Sequence, residues 1–317
     1  MSDQPIRHTA SPPAIVPGSR TMIVINPAAG QLDTERALRL LAGAFAVRGA
    51  SFDVVHTQAG GDAERAAREA ASHGYRAVVA VGGDGTVAEV ITGLAGTSVP
   101  LGIIPKGTAN QVACNLGIPG DIEGAVDVAV NGVVAPIDLG QLGDGRYFAL
   151  AAGAGWDAAV ISAATRELKD RWGFGAYVFA ALKAGITPPV ARYRITADGV
   201  ETEVDAAMVL LANMGQFVAK PFPSVEVHVG PAVSYQDGML DVCIFAPRTL
   251  PDVAALLWRV ASRQYLGDER LIYLKAAEIT LESDPPVITE FDGEVIGHTP
   301  LTARSVPGGV TVLVPRT

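Results

Sequence analysis

The sequence has 317 residues and a mass of 32.8 kDa, which at ~150 residues per domain points to about two domains. Hydrophobic residues make up 49% and charged ones only 18%, with a mean hydropathy of +0.29, which excludes a disordered chain and favours an apolar α/β protein. Twenty-four basic against 33 acidic residues leave a net charge of −9, the wrong sign for gripping a nucleic-acid backbone.

Cys114 and Cys243 are the only cysteines and fit neither a disulfide framework nor a zinc cluster, which favours a reducing, cytoplasmic compartment. The 35 glycines follow no three-residue period, so collagen is excluded and many tight turns are expected. No apolar run reaches the ~18 residues of a membrane-spanning helix. Residues 1–20, with Arg7, His8, Pro12, Pro13 and Pro17, read as a loose tail and not a signal peptide.

The elements then alternate. Met22–Asn26 is an apolar strand ending in Asn-Pro, and Asp33 is placed to cap a helix carrying Leu38, Leu41, Ala42 and Phe45 at helical spacing. Phe52–Thr57 is a second strand, and Asp62–His73 an Ala-rich helix closed by Gly74. Ala77–Val81 is a third strand, followed by a glycine loop and a helix through Leu94. Leu101–Ile104 and the helix after Thr108 repeat the unit. Strand–helix alternation of this kind builds a parallel sheet covered on both faces.

After about Leu139 the strands come in runs: Tyr147–Ala152, Arg192–Ala197, Glu203–Asn213, Val225–Val229, Leu240–Phe245, Ile272–Leu281, Val287–Phe291 and Val310–Val314. Asp198-Gly199 reads as a hairpin turn, and helices are expected at Asp157–Asp170, Gly175–Ala184 and Leu250–Gln264. The expected architecture is an N-terminal parallel α/β domain at 21–139, completed by 300–317, and a C-terminal antiparallel β-sandwich at 140–299.

The strongest local signal is Gly82-Gly83-Asp84-Gly85-Thr86 between a strand and a helix. Glycines let backbone N–H groups approach an anion, and the helix N-terminus adds a positive dipole end. Asp84 would repel a bare phosphate, so it implies a metal ion or a bonded hydroxyl. A tight turn with Asp84 as a cap accounts for the same residues. A second loop, Lys106-Gly107-Thr108-Ala109-Asn110, follows the next strand, and Asn26 and Thr57 end the first two. Loops at adjacent strand ends face one crevice, where open α/β sheets bind ligands, although Thr108 and Asn110 also suit helix capping. No P-loop and no protein-kinase catalytic loop is present. Gly153-Ala-Gly155-Trp-Asp-Ala158 matches a dinucleotide fingerprint in spacing but lies outside the βαβ half.

Taken in order, six motifs resemble the diacylglycerol kinase catalytic family, which includes bacterial lipid kinases and the sphingosine and ceramide kinases. They are Asn26-Pro-Ala-Ala-Gly30, Gly82 to Val90, Gly107-Thr-Ala-Asn110, Gly153-Ala-Gly155-Trp-Asp157, Asp237-Gly-Met-Leu-Asp241 and Asp292-Gly-Glu294. The resemblance implies an ATP-binding α/β domain joined to a β-sandwich, with the active site in the cleft between them. It carries an ATP site onto Asn26, Thr57, Gly82, Gly83, Asp84, Gly85, Thr86, Val87, Ala88, Thr108 and Asn110. Asp292, with Glu294 beside it, matches the family's proton acceptor. Asp237, with the carbonyls of Ser234 and Met239, matches a structural Mg²⁺ site. The implied reaction moves the γ-phosphoryl group of ATP, with Mg²⁺, to a hydroxyl of diacylglycerol or a related lipid. The Asp292-Gly293 and Asp237-Gly238 pairs are also common turn sequences.

Two departures stand out. Gln111 occupies the position where the family usually reads Asp after Gly-Thr-x-Asn, and Phe217-Val-Ala-Lys220 replaces a glycine-rich stretch. They keep two other readings open, a kinase of a soluble hydroxylated substrate and a nucleotide-binding protein with little catalysis. Trp172, Phe174, Tyr177 and Phe179, near Lys169, Arg171 and Lys183, form an aromatic and basic cluster that suits transient contact with a membrane surface or packing on the sandwich. The expected partners are thus a diacylglycerol-like lipid and, transiently, the inner membrane surface, with no nucleic acid and with a homodimer left open.

Overall fold

The fold was obtained as a computed structural model, which describes residues 20–30, 34–156, 189–218 and 226–316. The chain divides into two compact units, Met1–Asp138 with Pro307–Thr317, and Leu139–Val306.

The first unit alternates as its sequence requires: β1 (Thr21–Ile25), α1 (Thr34–Val47), β2 (Phe52–His56), α2 (Asp62–Ser72), β3 (Ala77–Gly82), α3 (Asp84–Leu94), β4 (Leu101–Pro105), α4 (Gln111–Asn115) and α5 (Ile122–Asn131). Its strands run parallel in the order β2-β1-β3-β4. Every residue of β1 and β3 is buried, which is why both read as unbroken apolar runs and not as alternating ones. The Ala-rich face of α2 (Ala63, Ala66, Ala67, Ala70) packs on α3 at Gly93, where a Cβ would stand 2.5 Å from the Glu64 carbonyl oxygen. The small residues that make the composition look so apolar are what let these helices approach closely.

The second unit begins within β5 (Val133–Leu142) and contains β6 (Tyr147–Phe148), β7 (Ala151–Gly155), β8 (Ala191–Ala197), β9 (Val200–Ala206), β10 (Met208–Ala212), β11 (Gln216–Val218), β12 (Glu226–His228), β13 (Leu240–Phe245), α6 (Leu250–Ala261), β14 (Leu271–Ala276), β15 (Glu278–Asp284), β16 (Ile288–Phe291), β17 (Glu294–His298) and the start of β18 (Leu301–Val314). The last strand serves both units: its first residues pair antiparallel with β15, and Val312 pairs parallel with Leu101 of β4. One antiparallel layer runs β18-β15-β8-β9, and a six-stranded layer runs β14-β13-β10-β7-β16-β17. Tyr193, Ile195, Ile279 and Leu281 from the first layer meet Val209, Leu211, Val242 and Ile244 from the second in one core. This is the parallel α/β domain plus β-sandwich that the element pattern implies.

The structure corrects the sequence reading at several boundaries. Glu203–Asn213 and Ile272–Leu281, each expected as one strand, break at Ala207 and Ala277, where the chain crosses from one sheet to the other. At Ala207 the N–H donates to the Phe245 carbonyl and the carbonyl accepts from Trp156. At Ala277 the N–H donates to the Asp198 carboxylate. The strand expected at Val310–Val314 is the end of the 14-residue β18, and β5 and α5 were not expected at all. The helix from Leu250, opened by a Thr249–Asp252 capping box, stops at Ala261, short of Gln264, before Arg263 turns into the left-handed region (φ 57°). The Asp33 cap, the tail up to residue 19, Val225 and the helices expected within 157–184 lie outside the described residues. No helix among the described residues is long and apolar enough to cross a membrane.

Two tests follow from this packing. Gly140 pairs directly with Phe148, and a Cβ on it would stand 1.9 Å from the fully buried ring. Gly140→Ala is therefore expected to cost about 2 kcal/mol by overpacking, read as a lowered Tm. Beyond α6, Arg270 grips Asp268 through Nε and Nη2 at 2.9 and 2.8 Å, which holds the Asp268 carboxyl well below the usual carboxylate range. A depressed folded-state pKa contributes stability that is complete above the ordinary carboxylate pKa and is lost as pH falls. Asp268→Asn should lower Tm at pH 7, and the gap to wild type should close progressively below about pH 4.

Candidate active site

The crevice loops of the first unit are built by backbone meeting backbone. A Cβ on Gly107 would stand 2.4 Å from the Gly83 Cα, and the Lys106 and Gly107 N–H groups both donate to the Gly82 carbonyl, at 2.8 and 3.2 Å. Gly30, at φ 69°, lies against the Lys106 carbonyl, where a Cβ would be 2.0 Å from the oxygen. The loops after β1, β3 and β4 therefore interlock, and glycine is required there first of all by space.

The polar side chains of the motifs mostly hold these loops. Asn26 accepts the Ala28 N–H at 2.9 Å through Oδ1 and donates through Nδ2 to Thr86 Oγ1 at 3.2 Å. Asn110, in the left-handed region (φ 51°), closes its own loop by accepting from Gly107 N and donating to Gly107 O, both at 2.9 Å. Asp84 Oδ1 accepts the Val112 N–H at 3.2 Å, tying α3 to α4. Burial pushes the Asp84 carboxyl up, while the amides of Val112, Gln111 and Asn110 pull it back. Gln111 opens α4 beside this carboxylate, so an aspartate there would set a second negative charge next to a buried one. The N–H of Thr57 bonds to Ile25, Thr108 is exposed, and Ala88 is half-buried. Val87 faces the core at 2% exposure, so its side chain packs and does not line the crevice. Gly85 differs from its neighbours: a Cβ there would meet nothing within 4 Å. It sits in the first turn of α3, ahead of the Val87 N–H that makes the first helical bond to Gly83.

In the second unit Asp292 and Gly293 form the two-residue turn between β16 and β17, with φ of 44° and 87°. The Asp292 carboxylate accepts three N–H groups: Ala149 at 3.0 Å, Leu150 at 2.9 Å and Ala151 at 3.1 Å. The Asp198-Gly199 turn is built alike, its carboxylate accepting from Ala277 and Glu278. Their surroundings differ. Asp198 lies at the surface, whereas Asp292 is ringed by buried polar residues. Asn213, fully buried, donates to the Ala149 carbonyl at 2.8 Å, and Glu290, 4% exposed, accepts from Gly293 at 2.9 Å. Glu294, expected to work beside Asp292, is exposed, and the buried carboxylate of this turn is Glu290. The sequence reading missed Asn213 and Glu290 as site residues. The signal for both was a polar residue inside an apolar run.

Asp237, Ser234 and Met239 lie on the loop before β13. Asp237 Oδ2 is 2.6 Å from Lys275 Nζ, and its Oδ1 accepts the Met239 N–H at 3.1 Å. Lys275 Nζ also reaches Asp241 Oδ2 at 3.4 Å and the Ala232 carbonyl at 2.9 Å. Burial raises the Asp241 carboxyl to about 6 against the pull of Lys275. An ammonium already pairs with Asp237, the one charged member of the expected set, so a divalent cation there would meet a positive charge on its only carboxylate. No group of three His, Cys, Asp or Glu among the described residues converges to hold a metal.

Family comparison decides the kinship. The model of the diacylglycerol kinase catalytic domain matches residues 20–142, and that of the YegS C-terminal NAD kinase beta sandwich-like domain matches 151–314. The chain belongs to the diacylglycerol kinase catalytic-domain family. It is thereby a kinase of the lipid-kinase group. The diacylglycerol kinase of Bacillus subtilis is 30% identical, over 94% of this chain and 97% of that protein. A Chromohalobacter salexigens protein named "Probable lipid kinase YegS-like" is 31% identical, over 93% of each chain. A diacylglycerol kinase crystal structure from Bacillus anthracis aligns with a TM-score of 0.75 at 27% identity, covering 93% of this chain and 97% of that one.

The glycine loops of this family member can be separated by stability alone. Gly107→Ala, which drives a Cβ into the Gly83 backbone, is expected to cost about 2 kcal/mol or more in thermal melts. Gly85→Ala, with open space and a helical backbone, is expected to leave Tm unchanged or slightly raised.

Proposed function

We propose that the protein transfers the γ-phosphoryl group of ATP to the hydroxyl of a diacylglycerol-like lipid. The observation that carries this reading is the set of three interlocked glycine loops at the carboxyl ends of β1, β3 and β4, in a chain of this family. Backbone amides at the start of α3, with no side chain over Gly85, suit the phosphates. Asn26, Thr86, Asp84 and Asn110 fix those loops, so they act by positioning the amides. Mg²⁺ would arrive with the nucleotide and neutralise charge on its phosphates.

In the second unit Asp292 is the proton acceptor. Its three backbone bonds fix the direction of the carboxylate, as a group that must orient a hydroxyl requires. As the hydroxyl oxygen bonds to the γ-phosphorus, the bond to the β-phosphate oxygen breaks, ADP leaves and the hydroxyl proton passes to Asp292. An apolar acceptor is favoured by what adjoins this turn. Ala151, which donates to Asp292, belongs to an apolar cluster with Met208, Leu210 and Cys243, against which Trp156 and Phe217 pack. The aromatic stretch 172–179, and Ala219 and Lys220 of the divergent segment, lie outside the described residues.

The test is transfer from labelled ATP to a panel of lipid micelles. Phosphorylation of a glycerolipid is expected, and transfer to none of them by protein that binds ATP would refute the reading. Asp292→Asn should lower turnover by about 100-fold or more while ATP affinity stays within about twofold. The matched Asp198→Asn should touch stability only. Gly85→Ala should weaken ATP binding about tenfold at unchanged Tm.

A further inference from the structure

The loop 232–239 and the two strands behind it carry a feature that the nucleotide chemistry does not use. Lys275 lies on β14 directly opposite Asp241 of β13, as a cross-strand pair. Sheet register therefore fixes the backbone position from which its side chain reaches. From there the ammonium meets three oxygens: Asp237 Oδ2 at 2.6 Å, the Ala232 carbonyl at 2.9 Å and Asp241 Oδ2 at 3.4 Å. Two of its three donors make hydrogen bonds, to Asp237 and Ala232 of the loop, and Asp241 of the strand stands at ion-pair range. The Ser234 N–H also bonds to Asp241, and Met239 N–H bonds to Asp237 Oδ1, so both ends of the loop are tied to the same two carboxylates. A divalent cation would need Asp237 Oδ2 at about 2.1–2.6 Å, in the space the ammonium fills, and would meet its charge at contact range.

We propose that Lys275 is a built-in substitute for a structural divalent cation, ordering the 232–239 loop without metal. The site differs from that of the Mg²⁺ carried by the nucleotide, so the inference stands apart from the proposed activity. One ammonium bridges a loop carbonyl, a loop carboxylate and a buried strand carboxylate, hard oxygen groups of the kind a divalent ion gathers, and it shares Asp237 with the expected metal set.

The experiment is thermal unfolding of the nucleotide-free protein in Mg²⁺ and in chelator. Wild type should shift by less than about 1 °C between the two, because nothing at this loop binds the ion differentially. Lys275→Met should melt about 3 °C or more lower in chelator, and recover saturably with Mg²⁺ once the oxygens are left without a cation. A saturable Mg²⁺ stabilisation of wild type that Asp237→Asn abolishes would overturn the proposal. One that survives Asp237→Asn arises at another site and leaves the wild-type loop metal-independent, as proposed. Equal loss of stability in both buffers for Lys275→Met would reduce Lys275 to an ordinary ion pair and overturn the substitution. So would a Lys275→Met protein as stable as wild type. Should that variant fail to fold, calorimetric titration of wild type and Asp237→Asn with Mg²⁺ decides the matter on the same criterion.

Discussion

Close approach of two backbones, at Gly83 and Gly107, is the constraint on which the first unit's chemistry depends. Two loops at neighbouring strand ends can meet at Cα distance only if neither carries a side chain there. Once they meet, the Gly82 carbonyl can take two N–H groups from the second loop, and Asp84 can reach the first amides of α4. The amides at the start of α3 are thereby held in a fixed array. In the proposed reaction, preorganised backbone dipoles of this kind would meet phosphate without reorganising.

The second unit solves a related problem with carboxylates. Asp198 and Asp292 each occupy the first position of an Asp-Gly turn and accept N–H groups from a neighbouring strand or loop. Asp198 secures the crossing at Ala277, where β14 passes into β15 and the sheet changes. Asp292 does the same for the Ala149–Ala151 segment, but among buried Asn213 and Glu290. Identical turn chemistry thus serves packing in one place and, in the proposed reaction, proton transfer in the other. Environment and not turn geometry separates them.

Lys275 shows the same economy. A cross-strand lysine opposite a buried aspartate would be costly if unpaired, because a lone buried charge loses its hydration. Here the loop folds back to supply Asp237 and the Ala232 carbonyl, so the pair ties this segment to the sheet.

Much of this was legible in the sequence. Apolar runs at β1, β3 and β4, glycine loops after them, and Asp-Gly turns were visible because each depends on local spacing and backbone preference. The family motifs added the assignment of Asp84, Asp292 and Asp237 to candidate roles. Tertiary structure alone decided three matters. It showed that Gly107 must be glycine because the Gly83 backbone lies against it. It broke two apparent strands at Ala207 and Ala277, because a change of sheet depends on distant partners such as Phe245 and Asp198. It also placed Lys275 against Asp237, where the motif pointed to a metal. Residue types and short spacings record what one segment can do, but which charge faces which is set by contacts between residues 38 apart in the chain, and no local pattern encodes that.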